Sequence, residues 1–313
     1  MAVDRRGRLA RRGLLGLAAA GLAVPGAWAQ RNGGPVVVSS KIDTEGALLG
    51  NLILLALQNA NVPTESRLGL GPTRIVRTAL VAGEIDIYPE YTGNAAFFFQ
   101  RPEDPGWRDA ERAYAMAAEL DRTQNNLIWL DRAKANNTWA IAVRRDIATR
   151  EKLETMSDFF AAANRGVLRL AASAEFVESP AALPAFEKAY GATFPRDDIT
   201  VLPGGDTSVT MRAAAQGISG VNSAMVYGTD GGIVALDLVV MRDDKNAQIV
   251  YEPAPVVRAA VLERHPAIRT SLAPIFGSLD LTTLQRLNAR IVVEGRPAAA
   301  VAREHLVAIG ALR

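Results

Sequence analysis

Cysteine is absent from the 313 residues, and histidine occurs only as His265 and His305. The first absence excludes disulfides and thiolate metal sites. The second leaves little for imidazole metal ligation or Ser-His-Asp catalysis. Aromatic residues make up only 6% of the chain, so a place where several gather stands out. No apolar run approaches the roughly 20 residues that a membrane-spanning helix needs. Leu14 to Val24 has 11 residues, and Leu48 to Leu57 has the length of a buried helix. Internal repeats and low-complexity linkers are also missing.

What is present is a globular composition, 49% hydrophobic and 22% charged, long enough for two lobes with sizeable cores. Residues 1–29 read as an export signal. Arg5, Arg6, Arg8, Arg11 and Arg12 form its basic start and Leu14 to Val24 its apolar stretch. Ala27-Trp28-Ala29 is a small-x-small cleavage site that puts the mature start near Gln30. Arg11-Arg12-Gly13-Leu14-Leu15 resembles a twin-arginine motif, with the ordinary secretory route as the alternative. This segment holds five arginines and one aspartate, so its removal takes the formal charge from +2 to about −2. A nucleic-acid function, which needs a basic stripe on the folded domain, loses its support.

Apolar runs punctuated by turn residues predict alternating strands and helices, hence an α/β fold with mainly parallel sheets. Val36 to Ser39 reads as a strand, Ser40 to Glu45 as a polar loop carrying Lys41, and Gly46 to Ala60 as a helix capped by Asp43 or Thr44. That helix start favours anions; the alternative for Lys41 is a solvated surface side chain. Arg67 to Thr73 reads as a glycine-rich turn, and it lacks the lysine and hydroxyl of a phosphate loop. The stretch Glu84-Ile85-Asp86-Ile87-Tyr88 alternates like a half-buried strand, which Pro89 should end. Phe97-Phe98-Phe99 is expected in the core. Gly204-Gly205-Asp206-Thr207 reads as a tight turn into the helix Ser208 to Gln216. Beyond Tyr251 the pattern is helical, beginning with Val256 to Arg264.

No catalytic set assembles, so no enzyme and no cofactor is expected. Glu84, Asp86 and Glu90 read as hydrogen-bonded structural carboxylates. Asp230 and Asp237 have no metal-ligand spacing. Tyr91, Trp139, Tyr227 and Tyr251 each lie at a strand-to-loop junction with small or polar neighbours. Four such rings arranged as a box would attract a cation that cannot donate hydrogen bonds, each contact contributing about 0.5–2 kcal/mol. The alternative for each ring is ordinary core packing.

Several segments together resemble the periplasmic substrate-binding proteins of osmoprotectant ABC transporters, which take up glycine betaine, choline and relatives. They are Ser40-Lys41-Ile42-Asp43-Thr44-Glu45-Gly46, Gly83 to Gly93, Asn137 to Val143, Tyr227-Gly228-Thr229-Asp230-Gly231 and Ala254-Pro255-Val256-Val257-Arg258. The first and third are most similar to the OsmF (YehZ) branch. The resemblance implies a two-lobed type II binding-protein fold with a hinge of two crossing strands. Lobe one would take residues 35–137 and 245–313, and lobe two residues 138–244. It implies an aromatic cage at Tyr91, Trp139, Tyr227 and Tyr251, with Lys41 and Asn94 meeting the ligand's carboxylate. It further implies a monomer in the periplasm that delivers its ligand to a membrane permease. A sensory module is the alternative role, and no residue separates the two. Where the family carries a carboxylate-clamping arginine, this chain has Ser179. A serine supplies no bidentate charged contact, so the acidic end of the ligand stays open between betaine, choline and bulkier compounds such as carnitine or ergothioneine. An arginine restored at 179 is expected to tighten betaine binding.

Overall fold

The computed structural model describes residues 34–202 and 207–312. The export segment and the glycines and aspartate of the turn 204–206 lie outside the described residues. Two five-stranded sheets organise the rest. The first contains β1 (Val36–Lys41), β2 (Thr64–Gly71), β3 (Ile87–Tyr91), β4 (Leu127–Trp129) and the last strand of the chain, β10 (Pro253–Arg258), in the order β2-β1-β3-β10-β4. The second contains β5 (Trp139–Arg144), β6 (Leu170–Ser173), β7 (Ile199–Leu202), β8 (Ser223–Tyr227) and β9 (Leu238–Val240), in the order β7-β6-β8-β5-β9. Each sheet is covered by an apolar cluster on both faces, which makes two lobes. The chain passes from one sheet to the other between Trp129 and Trp139 and returns between Val240 and Pro253. No helix among the described residues is long and apolar enough to cross a membrane.

The expectation of mainly parallel sheets is corrected. β1 runs parallel to β2 and β3, and β6 to β7 and β8. β10 runs antiparallel to β3 and β4, and β5 to β8 and β9. β5 and β10 are the strands next to the two passages between the sheets, and both lie inside their sheets. The expected helix over Val256 to Arg264 is also corrected: β10 covers Pro253–Arg258, and only Ala259–Arg264 is helical. Pro253 and Pro255 disguised this strand, as Pro89 disguised the end of β3. In the structure Pro89 lies within β3, opposite Pro255. The Pro255 carbonyl accepts from Leu130 N on its far side at 2.9 Å. The proline pair therefore sits at a non-hydrogen-bonded position, where a missing N–H removes nothing from this ladder.

The glycine-rich stretch expected to turn at Arg67 is largely β-strand, since β2 runs to Gly71, with Gly69 and Gly71 at positive φ. Phe97 is half exposed instead of core, while the Arg77 guanidinium lies 4.6 Å over the Phe98 ring. The first helix, Thr44–Asn59, is capped by Asp43, whose Oδ1 accepts from Gly46 N at 2.7 Å. Its residues Leu48, Leu49, Leu52, Ile53, Ala56 and Leu57 recur at helical spacing and are buried. A Cβ on Gly46 would come within 2.9 Å of the Lys41 carbonyl. Glycine thus lets the helix start press against the end of β1.

Candidate functional site

Lys41 and Tyr91 are the last residues of β1 and β3, Tyr227 is the last of β8, and Trp139 is the first of its antiparallel partner β5. The strands therefore deliver these side chains to one edge of each sheet, the carboxyl edge at which open α/β sheets meet ligands. A cleft of about 1050 Å³ lies there. Lys41, Tyr91, Asn94, Trp139, Tyr227 and Tyr251 all line it. Glu45, Asn137, Thr229 and Asn288 line it as well, and so do Thr207, Ser208 and Arg212 on the helix Thr207–Gln216.

Two of the rings act as one wall. Trp139 and Tyr227 are direct cross-strand partners, and their rings stack with centroids 4.4 Å apart at 29°. That spacing leaves no room for a cation between them, so they present a continuous π surface. Tyr91 is nearly buried, and its hydroxyl donates to Glu45 Oε1 at 2.7 Å. Tyr251 packs on Gly93, where a Cβ would lie 2.7 Å from its ring. Burial, followed by the negative charge of Glu90, pushes the Tyr251 hydroxyl up to about 12. Burial likewise raises Tyr91 and Tyr227. All four phenol and indole rings are therefore neutral at neutral pH, as a cation–π surface requires.

Tyr251 lies on the second passage between the lobes and is fastened to the first. Its N–H donates to Asn136 Oδ1 at 2.8 Å, and its carbonyl accepts from Asn137 N at 2.9 Å. The Thr138 hydroxyl donates to Ile249 O at 2.7 Å. These bonds supply most of the partners that the polar run Asn136-Asn137-Thr138 needs. The lobes also touch beside the cleft. On the helix Leu281–Val292, Gln285 Nε2 donates to Gly228 O at 2.8 Å, and Asn288 Nδ2 to Thr229 O at 2.9 Å. A Cβ on Gly231 would lie 2.2 Å from Ala289 N, so backbone meets backbone there.

Lys41 is not a solvated side chain. It is 5% exposed, and its Nζ lies 2.6 Å from Glu90 Oε1 and 4.5 Å above the Tyr91 ring. Asn94 Nδ2 donates to the same Glu90 oxygen at 2.7 Å. Tyr91 N donates there at 2.7 Å, and the Tyr88 hydroxyl reaches Oε2 at 2.5 Å. Both residues that the resemblance assigns to the ligand's carboxylate thus hold a carboxylate of the protein. Glu90, read in the sequence as one of several structural carboxylates, is the hub of this corner. Asp86 is bound by Val37 N and Arg258, and Asp230 by Tyr227 N. Ser179 ends the helix Ala174–Glu178, with its Oγ accepting from Ala181 N at 3.3 Å, and does not line the cleft.

Sequence reasoning passed over Glu45. The carboxylate is buried, and Asn137 Nδ2 and Asn288 Nδ2 donate to it at 3.3 and 2.7 Å in addition to Tyr91. Burial pushes its carboxyl above the ordinary value, against the pull of the hydrogen bonds it receives. The signal available was its place two residues after a capping Asp43, beside a loop already singled out.

A family model described as the substrate binding domain of ABC-type glycine betaine transport systems matches residues 34–308. The chain is 53% identical over 273 residues to the glycine betaine-binding protein YehZ of Escherichia coli K12, covering 87% of this chain and 90% of that one. It is 33% identical over 276 residues to a glycine-betaine-binding protein of Pseudomonas aeruginosa, covering 86% of each. A solved structure of apo YehZ from Escherichia coli superposes with a TM-score of 0.82 at 52% identity, over 88% of this chain and 99% of that one. The two-lobed fold with its cleft agrees with that of this solved structure. The chain belongs to the family of substrate-binding domains of ABC-type glycine betaine transport systems.

Proposed function

We propose that the protein is an extracytoplasmic solute-binding protein that delivers a quaternary ammonium osmoprotectant to an ABC importer. Glycine betaine, choline or a related trimethylammonium compound is the ligand class. The observation that carries the reading is the convergence of Tyr91, Trp139, Tyr227 and Tyr251 on one cleft between the lobes. A methylated ammonium spreads its charge over weakly hydrated methyl groups and asks for no hydrogen-bond acceptor, so π faces suit it. Lys41 and Asn94 are the donors offered to an acidic group at the Tyr91 end, shared with Glu90. The names of the Escherichia coli and Pseudomonas relatives support glycine betaine within this class. The protein acts as a monomer in the periplasm. Ligand bridges half-sites on the two lobes, which close about the two passages near Asn137 and Tyr251. The closed form is favoured to the extent that it binds better, and it presents itself to a permease in the membrane.

Calorimetric titration of the purified mature protein tests the reading. The panel is glycine betaine, choline, carnitine, proline betaine and ergothioneine, with amino acids as controls. Saturable heats with at least one methylated ammonium compound are expected. Binding of amino acids with no response to any methylated compound would overturn the proposal.

A further inference from the structure

We propose that Glu45 is the counter-charge for the cation, a buried carboxylate without an ionic partner in the cleft until a quaternary ammonium enters. The inference rests on the function proposed above and names the residue that adds charge selectivity to the rings.

Of the two buried carboxylates at this corner, Glu45 lines the cleft and Glu90 does not, and the one buried ammonium is Lys41. Lys41 is committed to Glu90 at 2.6 Å. Among the described residues no lysine or arginine forms an ion pair with Glu45, and the like charge of Asp43 acts against its ionisation. An isolated buried charge is costly and is normally paired. Here the missing partner is absent on the side where the rings stand: Tyr91, whose hydroxyl touches Glu45, is itself part of the cage. Lys41 Nζ stands 4.5 Å over that ring and is held by Glu90; a cation in the cleft beside the hydroxyl end of the ring would be near the carboxylate, in surroundings where opposite charges attract far more strongly than in water.

The hydrogen bonds narrow the kind of cation. Both Glu45 oxygens are already occupied by neutral donors, Tyr91 and Asn137 on Oε1 and Asn288 on Oε2. What remains to offer is charge, and a trimethylammonium group responds to charge without needing an acceptor. The two asparagines make the same point from the other side. Each turns its N–H towards Glu45, and each leaves its own Oδ1 buried without a partner. That arrangement favours the ionised carboxylate, since only a group with no proton of its own needs every neighbour to donate.

The test is Glu45→Gln, which removes the charge and keeps the shape. Its new amide N–H has acceptors at hand in Asn137 Oδ1 or Asn288 Oδ1 after a local amide turn. Wild type and E45Q are titrated calorimetrically with glycine betaine, choline and tetramethylammonium, and their melting temperatures are measured without ligand. The expected result is an E45Q melting temperature equal to or above wild type, with affinity for all three ligands lowered by about 10-fold or more. The loss is shared because the cation is the group they have in common. Affinity within twofold of wild type overturns the counter-charge. So does a loss that only accompanies a lower melting temperature, which makes Glu45 a structural carboxylate. A wild type that binds none of the three overturns the function and the counter-charge together, so the two failures are told apart.

Discussion

Lys41 and Glu90 give the sharpest quantitative prediction, because a structural and a ligand-binding role for Lys41 differ in sign and place. Lys41→Met keeps the stem that packs over Tyr91 and removes the ammonium. Glu90, fully buried, then loses its only ionic partner among the described residues. Breaking a buried pair on one side costs about 3–5 kcal/mol. Three neutral donors remain on the carboxylate, from Tyr88, Tyr91 N and Asn94. They place the loss at the lower end, about 3 kcal/mol, because an ionised acceptor is partly stabilised by neutral donors. In a chain of this size that corresponds to a fall in melting temperature of roughly 6–10 °C. Removing both charges in Lys41→Met/Glu90→Gln restores most of the stability, since no unpaired buried charge is left. Urea denaturation followed by circular dichroism measures both variants. A Lys41→Met loss under about 1 kcal/mol, the value of an exposed pair, would refute the reasoning. The double variant also separates the roles. If Lys41 reaches the ligand's carboxylate, glycine betaine affinity drops in the double variant while choline affinity does not. If its role is to hold Glu90, the two ligands change alike.

Trp139→Ala removes half of the stacked wall and is expected to weaken every trimethylammonium ligand by about 2–30-fold, with Tyr251→Ala similar; unchanged titration heats in both would remove the cage. Ser179→Arg is expected to leave glycine betaine affinity as it is, because Ser179 does not line the cleft, whereas Arg212→Gln is expected to weaken glycine betaine about 10-fold and spare choline. Arg212 lines the cleft and, among the described residues, makes hydrogen bonds only to Ser208; equal effects on both ligands would remove it as a carboxylate contact. Gly231→Val puts side-chain carbons where Ala289 N lies 2.2 Å from the ideal Cβ position, so small-angle scattering should show a larger radius of gyration than wild type, and an unchanged radius contradicts the contact. The raised carboxyl of Glu45 makes the unliganded protein lose stability as pH rises from the unfolded value of about 4.5 through the folded one, because the unfolded chain releases its proton first. With Asp43 and Tyr91 as the titratable groups facing it, the comparison with E45Q isolates this slope, and parallel pH profiles for the two proteins would refute it.

The alternation of β-branched runs with helical spacing was enough to read an α/β chain, and the burial of Val36 to Val38 or of Leu48 to Leu57 follows that pattern directly. Partner direction was not readable from it. A strand shows its faces through residue spacing, but whether its neighbour is parallel depends on which distant segment returns beside it, and β10 returns after lobe two has been built. The prolines misled for a related reason. Pro89, Pro253 and Pro255 break a ladder only where an N–H is required, and that depends on a register set by contacts far away in sequence. The rings were legible as strand-end aromatics. Their arrangement was not: that Trp139 and Tyr227 stack into one surface depends on the register of β5 against β8.

The carboxylates were the hardest to read, and they change what the cleft asks of its ligand. Glu90 and Glu45 stand next to residues already singled out, one beside Tyr91 and the other beside Thr44, and nothing in their local sequence separates them. The fold does. Glu90 meets Lys41 because β1 and β3 are neighbours and end together at the cleft. Glu45 meets only neutral donors because it sits a turn away, under the asparagines of the first passage and of the helix Leu281–Val292. Asn288 then ties Glu45 and lobe two together, since the same Nδ2 donates to Glu45 Oε2 and to Thr229 O. A charge state at Glu45 is therefore felt at the contact between the lobes. A cation that keeps Glu45 ionised keeps Asn288 turned towards it and keeps the bridge to Thr229. Cation binding and lobe contact are in this way two ends of one hydrogen-bonded chain, with a carboxylate at its centre.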